Sequence, residues 1–170
     1  MVIIFSERKS NVADEITEIL TLAGADFISD NTVCASKGLF TVVREYKKTE
    51  ITINKGVAVF CDDTERFKEQ VLPSGIIGIC EDTNKNALKL FFKNRTPVIS
   101  CGLGNKNTVT LSSLTDNSLL VTLQRNIKSM YGLSIEPADF KITLWKKYSP
   151  FSVMAGATIL LNNGIIPKEL

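Results

Sequence analysis

A chain of 170 residues, 44% hydrophobic and 22% charged, has the size and composition of one folded domain and not of a disordered tail. Its formal net charge of +2 is too close to neutral for a nucleic-acid partner. It contains no histidine, which excludes both Cys/His zinc sites and histidine-based catalytic triads.

The four cysteines, Cys34, Cys61, Cys80 and Cys101, form no CxxC pair, and the last three each close an apolar run. Cys61, Cys80 and Cys101 read as reduced core thiols of a cytoplasmic protein. Met1 to Phe5 is apolar, but Glu7, Arg8 and Lys9 come directly after it, which is not the pattern of a secretory signal. The uncharged run from Ser149 to Pro167 has a strongly apolar part only from Phe151 to Leu161. That is about half of the roughly 20 residues a bilayer requires, so the expectation is a buried helix and no membrane span.

In chain order, Val2 to Phe5 is a fully apolar strand. Val12, Ile16, Ile19, Leu20 and Ala23 then recur at helical spacing behind a Ser10 or Asn11 cap, and Gly24 ends the helix. Phe27-Ile28 is a short strand. Leu39 to Tyr46 and Glu50 to Ile53 have β composition, with Lys47 to Thr49 as a turn between them. Val57 to Cys61 is apolar throughout, and Asp62-Asp63-Thr64 caps a short helix over Glu65 to Val71. Ile76 to Cys80, a helix from about Asn84 to Lys93 burying Ala87, Leu88, Phe91 and Phe92, and Pro97 to Cys101 complete the alternation. Thr108 to Ser112 and Leu119 to Leu123 read as a hairpin turning at Thr115-Asp116-Asn117-Ser118, and Phe140 to Trp145 adds a third strand. The last helix has Ser149 as N-cap, Pro150 at its first position and Gly164 just past its end. The class is therefore α/β, a single domain over residues 1–170. It has a mostly parallel, Rossmann-like sheet flanked by helices and a small antiparallel β unit in the C-terminal half.

Open parallel sheets bind ligands beyond the carboxyl ends of their strands, which selects four loops. Lys9 and Ser10, after the first strand, stand where a phosphate-binding loop has its lysine and hydroxyl, but Ile3 and Arg8 occupy that motif's glycine positions. Asp62, Asp63, Glu81 and Asp82 are carboxylates at strand ends, suited either to Mg²⁺ or to capping the helices after them. Gly102, Gly104 and Asn105 form a loop that lets a ligand approach the backbone, without the third glycine of a dinucleotide fingerprint. Lys9, Ser10, Gly102, Gly104 and Asn105 are thus the candidate ligand contacts, and the four carboxylates the candidate metal ligands.

Three stretches carry a family resemblance: Lys55 to Asp63, a strand ending in paired aspartates; Pro97 to Gly104, a strand entering a glycine turn; and Phe151 to Glu169, with Ala155, Ala157, Leu160, Leu161, Gly164 and Ile165. Together they resemble the central domain of the Mur ligases, ATP-dependent enzymes that build peptidoglycan precursors. The turn at Lys147 to Pro150 departs from the family's asparagine-rich one. The resemblance implies a nucleotide-binding loop, a metal-binding glutamate and histidine, and a carbamylated lysine. This chain lacks the loop's glycines and any histidine. The resemblance and these losses together imply a truncated, non-catalytic relative without a cofactor. Such a relative is a binding or interaction module in bacterial cell-envelope metabolism, able to form homo-oligomers. It would take a small anionic ligand or a protein partner. A small Mg²⁺-dependent enzyme acting on a phosphorylated or nucleotide ligand is the alternative.

Overall fold

A computed structural model describes residues 1–63, 65–115 and 117–169. The expected cap at Thr64 and the hairpin position Asp116 lie outside the described residues.

Strands β1 (Val2–Phe5) and β5 (Gly56–Phe60) form the middle of the sheet because every residue in them is buried. Val2, Ile4, Val57 and Val59 point into one core, and Ile3, Phe5, Ala58 and Phe60 into the other. Two-residue periodicity with both faces apolar is the mark of a strand covered on both sides. Between them in sequence come α1 (Asn11–Leu22), β2 (Asp26–Ile28), β3 (Val33–Cys34) and β4 (Thr41–Glu45). After them come β6 (Ile76–Glu81), α2 (Lys85–Asn94) and β7 (Val98–Cys101). The antiparallel part comes next: β8 (Val109–Thr115), β9 (Ser118–Leu123), the pair β10 (Ile127–Lys128) and β11 (Ser134–Ile135), and β12 (Ala138–Thr143). Helix α3 (Pro150–Asn162) ends the fold.

Among the described residues ten strands make one sheet in the order β12-β9-β8-β7-β6-β5-β1-β4-β2-β3, and β10-β11 form a separate ribbon. The run from β2 to β8 is parallel, and β3, β9 and β12 join as antiparallel neighbours. The antiparallel unit thus extends the parallel sheet. Parallel neighbours ordinarily need a long crossover. Residues 102–108 suffice between β7 and β8 because the strands overlap at one register pair, Cys101 with Val109.

Local differences from the sequence reading have physical causes. The expected hairpin of Leu39–Tyr46 with Glu50–Ile53 does not form. β4 lies between β1 and β2, parallel to both, so neither of its edges is left for a returning strand. Residues 50–53 are irregular, and Thr49 beside them is tied through its N–H and C=O to the side chain of Gln70. The helix expected at Glu65–Val71 is a 3-10 turn, Glu65–Phe67, whose Phe67 packs edge-on against Phe5 and Phe60. In α2 the buried face is Ala87, Leu90 and Phe91, at i, i+3 and i+4, which leaves Phe92 87% exposed.

Helices α1 and α3 cover one face of the sheet and α2 covers part of the other. Helix α3 has no polar side because it has no wet side: it packs against β6 to β9 below and α1 alongside. Gly156 sets that helix contact, since a Cβ there would stand 2.8 Å from Cγ2 of Ile19. Leu160→Ala is expected to lower stability by about 2–5 kcal/mol. Gly156→Leu is expected to force α1 and α3 apart, and denaturant midpoints of both variants against wild type check this pair.

Candidate functional site

The chain leaves β1 toward α1 and β2 on one side, and leaves β5 toward β6 on the other. The carboxyl ends of β1 and β5 therefore flank the topological switch point, where open α/β sheets bind ligands. Here the crevice is closed by the protein itself. One carboxylate oxygen of Asp62 accepts the Glu7 N–H at 2.7 Å, and the other accepts the Ser10 hydroxyl at 3.0 Å. Ser10 also caps α1 by accepting from the Ala13 N–H at 3.3 Å. An internal carboxylate thus holds the place at the start of α1 where a phosphate would sit.

Beneath it lies Arg44 of β4, with a side chain only 5% exposed. Its guanidinium donates to Ser6 Oγ at 3.0 Å, to the Glu7 and Ser10 carbonyls, and to Asp14 of α1. The loop after β1 consequently turns its carbonyls and a hydroxyl inward to a cation. A phosphate-binding loop does the opposite, presenting N–H groups to an anion. Lys9 is exposed on this loop.

The other candidate carboxylates also have partners within the fold. Asp63 accepts the Asn86 N–H at 3.0 Å in the first turn of α2, while Asn84 caps the same helix and donates to the Asp62 carbonyl. Glu81 accepts from Thr83, and Asp82 accepts from Asn107 Nδ2 at 2.7 Å. Gly102 makes the last bond possible: a Cβ there would lie 2.5 Å from Asn107 Nδ2 and 2.7 Å from the Asp82 carboxylate. Among the described residues, no three Asp, Glu or Cys side chains are gathered as a metal site would gather them.

Glu81, Asp82, Gly102 and Gly104 come together at a cavity of about 450 Å³ above β5, β6 and β7. Leu103, Phe151, Met154 and Val12 supply its apolar wall, and the first turn of α3 lines one side. Asn105 lies on the exposed part of the same loop, outside this lining. Ser10 and Asp62 are at the neighbouring, filled crevice, while Lys9 is exposed on the loop after β1 and Asp63 is at the start of α2. Ser149 does not cap α3 with its side chain; its hydroxyl and N–H both go to Glu15, at 2.7 and 2.9 Å. Cys61 lines the cavity as a neutral thiol, its pKa pushed up by burial and by Asp62. Burial and neighbouring carboxylates push Cys80 up to about 12, and burial raises Cys101 as well. None of the three is poised as a nucleophile at neutral pH.

Sequence reasoning missed Arg44, Asn84 and Asn107. A signal existed for the first: an arginine directly after Val42-Val43, in a strand that packs on both faces, has to find a partner in the fold. The asparagines carry no such mark.

No protein-family model matches the chain, and no curated protein sequence does. Solved structures do. The chain is similar in fold to the crystal structure of UDP-N-acetylmuramate:L-alanyl-gamma-D-glutamyl-meso-diaminopimelate ligase from Neisseria meningitides, with a TM-score of 0.63 and 12% identity. That match covers 99% of this chain and 62% of the other, so the chain spans less than two thirds of that ligase structure. The structure of UDP-N-acetylmuramoyl-L-alanyl-D-glutamate–2,6-diaminopimelate ligase aligns at a TM-score of 0.47 and 8% identity, over 96% of this chain and 42% of that one. The likeness is one of fold, that of a Mur-ligase-like α/β domain.

Two measurements check the closed crevice and the α1–α3 tie. Asp62→Ala removes the acceptor of the Glu7 N–H, and because that bond is exposed a loss of about 0.5–1.5 kcal/mol is expected, with faster hydrogen exchange at that amide. Burial alone would raise the Glu15 carboxyl, but the bonds from Ser149, with Ser152 and Lys146 nearby, outweigh it and hold the pKa below the usual glutamate value. The ionised form then stabilises the fold above the unfolded pKa, and the contribution is lost as pH falls through the folded one. Glu15→Gln should be less stable than wild type at neutral pH. The difference should close below about pH 4 in a series of denaturant midpoints.

Proposed function

We propose that this chain is a non-catalytic binding module on a Mur-ligase-like core, serving bacterial cell-envelope metabolism in the cytoplasm. The observation that carries the reading is the Asp62 carboxylate on the Glu7 amide and the Ser10 hydroxyl. An enzyme that spends ATP has to receive a polyphosphate at such a loop. Here a fixed negative charge already occupies the position, with Arg44 buried behind it.

The open cavity beside it suits a small zwitterion of amino-acid or short-peptide type. Glu81 and Asp82 favour an ammonium group, whereas a lone small anion would meet two like charges. At the opposite wall the start of α3 already carries the Glu15 carboxylate on the Ser149 N–H and hydroxyl, so the selectivity of the cavity rests on its ammonium end. Leu103, Phe151 and Met154 accept the apolar part of the ligand. The Neisseria ligase is named for such a molecule, L-alanyl-gamma-D-glutamyl-meso-diaminopimelate, which carries ammonium and carboxylate groups together.

Isothermal titration of the full chain with that tripeptide, and separately with ATP and Mg²⁺, tests the reading. Saturable heat with the tripeptide, weakened by Glu81→Gln, is expected, with neither heat nor phosphate release from ATP. Turnover of ATP would sink the non-catalytic reading, and silence toward the tripeptide would sink the ligand class.

A further inference from the structure

A second cavity, of about 300 Å³, opens at the amino ends of β6, β7 and β8, the opposite end of the sheet from the loops described above. Val98 and Ile99 of β7 line it, as do Arg125, Ile127 and Lys128 from the stretch after β9. It lies where the sheet is incomplete. β7 meets β8 at one register pair, Cys101 with Val109, so the amino half of β7 is paired on its β6 side alone.

The hydrogen bonds around β7 fix which groups face the open side. The Pro97 carbonyl accepts the Gly78 N–H of β6 at 2.8 Å, and the Ser100 carbonyl accepts the Thr108 N–H at the other edge at 3.0 Å. Successive residues of a strand turn their backbone groups to opposite edges. Val98, two residues before Ser100, therefore points its N–H and C=O away from β6 and toward the cavity. A strand edge left in this state is a template for one more strand.

The side chains decide what kind of strand fits. Ile77, Ile99 and Ile127 give the cavity an apolar floor. Arg125 and Lys128 are exposed at its rim, and no carboxylate is among the residues that line it. Among the described residues neither cation is in an ion pair. The charge is thus opposite in sign to that of the cavity holding Glu81 and Asp82. A chain end brings together what this place offers to bind: a backbone for the open edge, a side chain for the floor and a carboxylate for the two cations.

We infer that this cavity receives the C-terminal end of an extended peptide from a protein partner. The peptide backbone pairs with Val98, its apolar last side chain rests on Ile77, Ile99 and Ile127, and its carboxylate lies between Arg125 and Lys128.

Nitrogen-15 correlation spectra of the full chain, titrated with acetyl-Ala-Ala-Leu bearing a free carboxylate, test this. Saturable shifts are expected at Val98, Ile99 and Ile127, with Thr83 and Leu103 unmoved, so the result is read independently of the tripeptide experiment. The carboxamide of the same peptide should bind about tenfold more weakly or worse. Hexanoate, which keeps the carboxylate and an apolar tail but has no peptide backbone, should be weaker to a similar degree. Arg125→Gln combined with Lys128→Gln changes two exposed side chains and should weaken the acid to the level of the carboxamide. The inference is overturned if millimolar peptide gives no saturable shifts, if the shifts lie elsewhere, if the carboxamide or hexanoate binds as tightly as the acid, or if the double variant binds it unchanged.

Discussion

The Asp62 carboxylate accepts one hydrogen bond from the Glu7 N–H and another from the Ser10 hydroxyl, joining the loops that leave β1 and β5 in opposite directions. In most open α/β sheets that divergence is a gap awaiting an anion. Filling it from within has two effects. A negative charge is set beside the start of α1, whose Ala13 N–H is capped by the Ser10 hydroxyl oxygen. The loop is also pinned from both sides, by Asp62 above and Arg44 beneath, which holds the neighbouring cavities in place as preformed concavities. Arg44 would be a costly residue in an apolar strand if it stood alone. Its bonds to Ser6, Asp14 and two loop carbonyls make it a buried brace whose removal would leave those acceptors unpaired.

How far the sequence can be read depends on whether local pattern or tertiary pairing decides an element. β1 and β5 are legible because uninterrupted apolar runs of that length leave few other options. Helix α3 is legible from Pro150 at its start and Gly164 after its end, the latter at a φ of +76°. The segment Leu39 to Ile53 misleads because turn chemistry at Lys47 to Thr49 suggests a hairpin, whereas the free edges of β1 and β2 claim the strand first. Phe92 misleads in another way, since its aromatic character argues for burial and its helical angle turns it outward. For the candidate site, Glu81, Asp82, Gly102 and Gly104, from loops that the sheet rule selects, meet at one cavity. The filling of the adjacent crevice is not legible, because it rests on residues 55 positions apart in sequence meeting across the switch point.

The connection of β7 to β8 has a mechanical meaning. Along the rest of the parallel sheet, adjacent strands share several consecutive pairs, but this boundary has one, Cys101 with Val109. Backbone hydrogen bonding therefore does little to hold the two halves in line. Helix α3, which spans β6 to β9, is the splint across that seam. The seam is accordingly held more by the packing of one apolar helix than by its ladder. The β8, β9 and β12 leaf and the parallel half thus each have their own strand pairing, and α3 is the element packed across both.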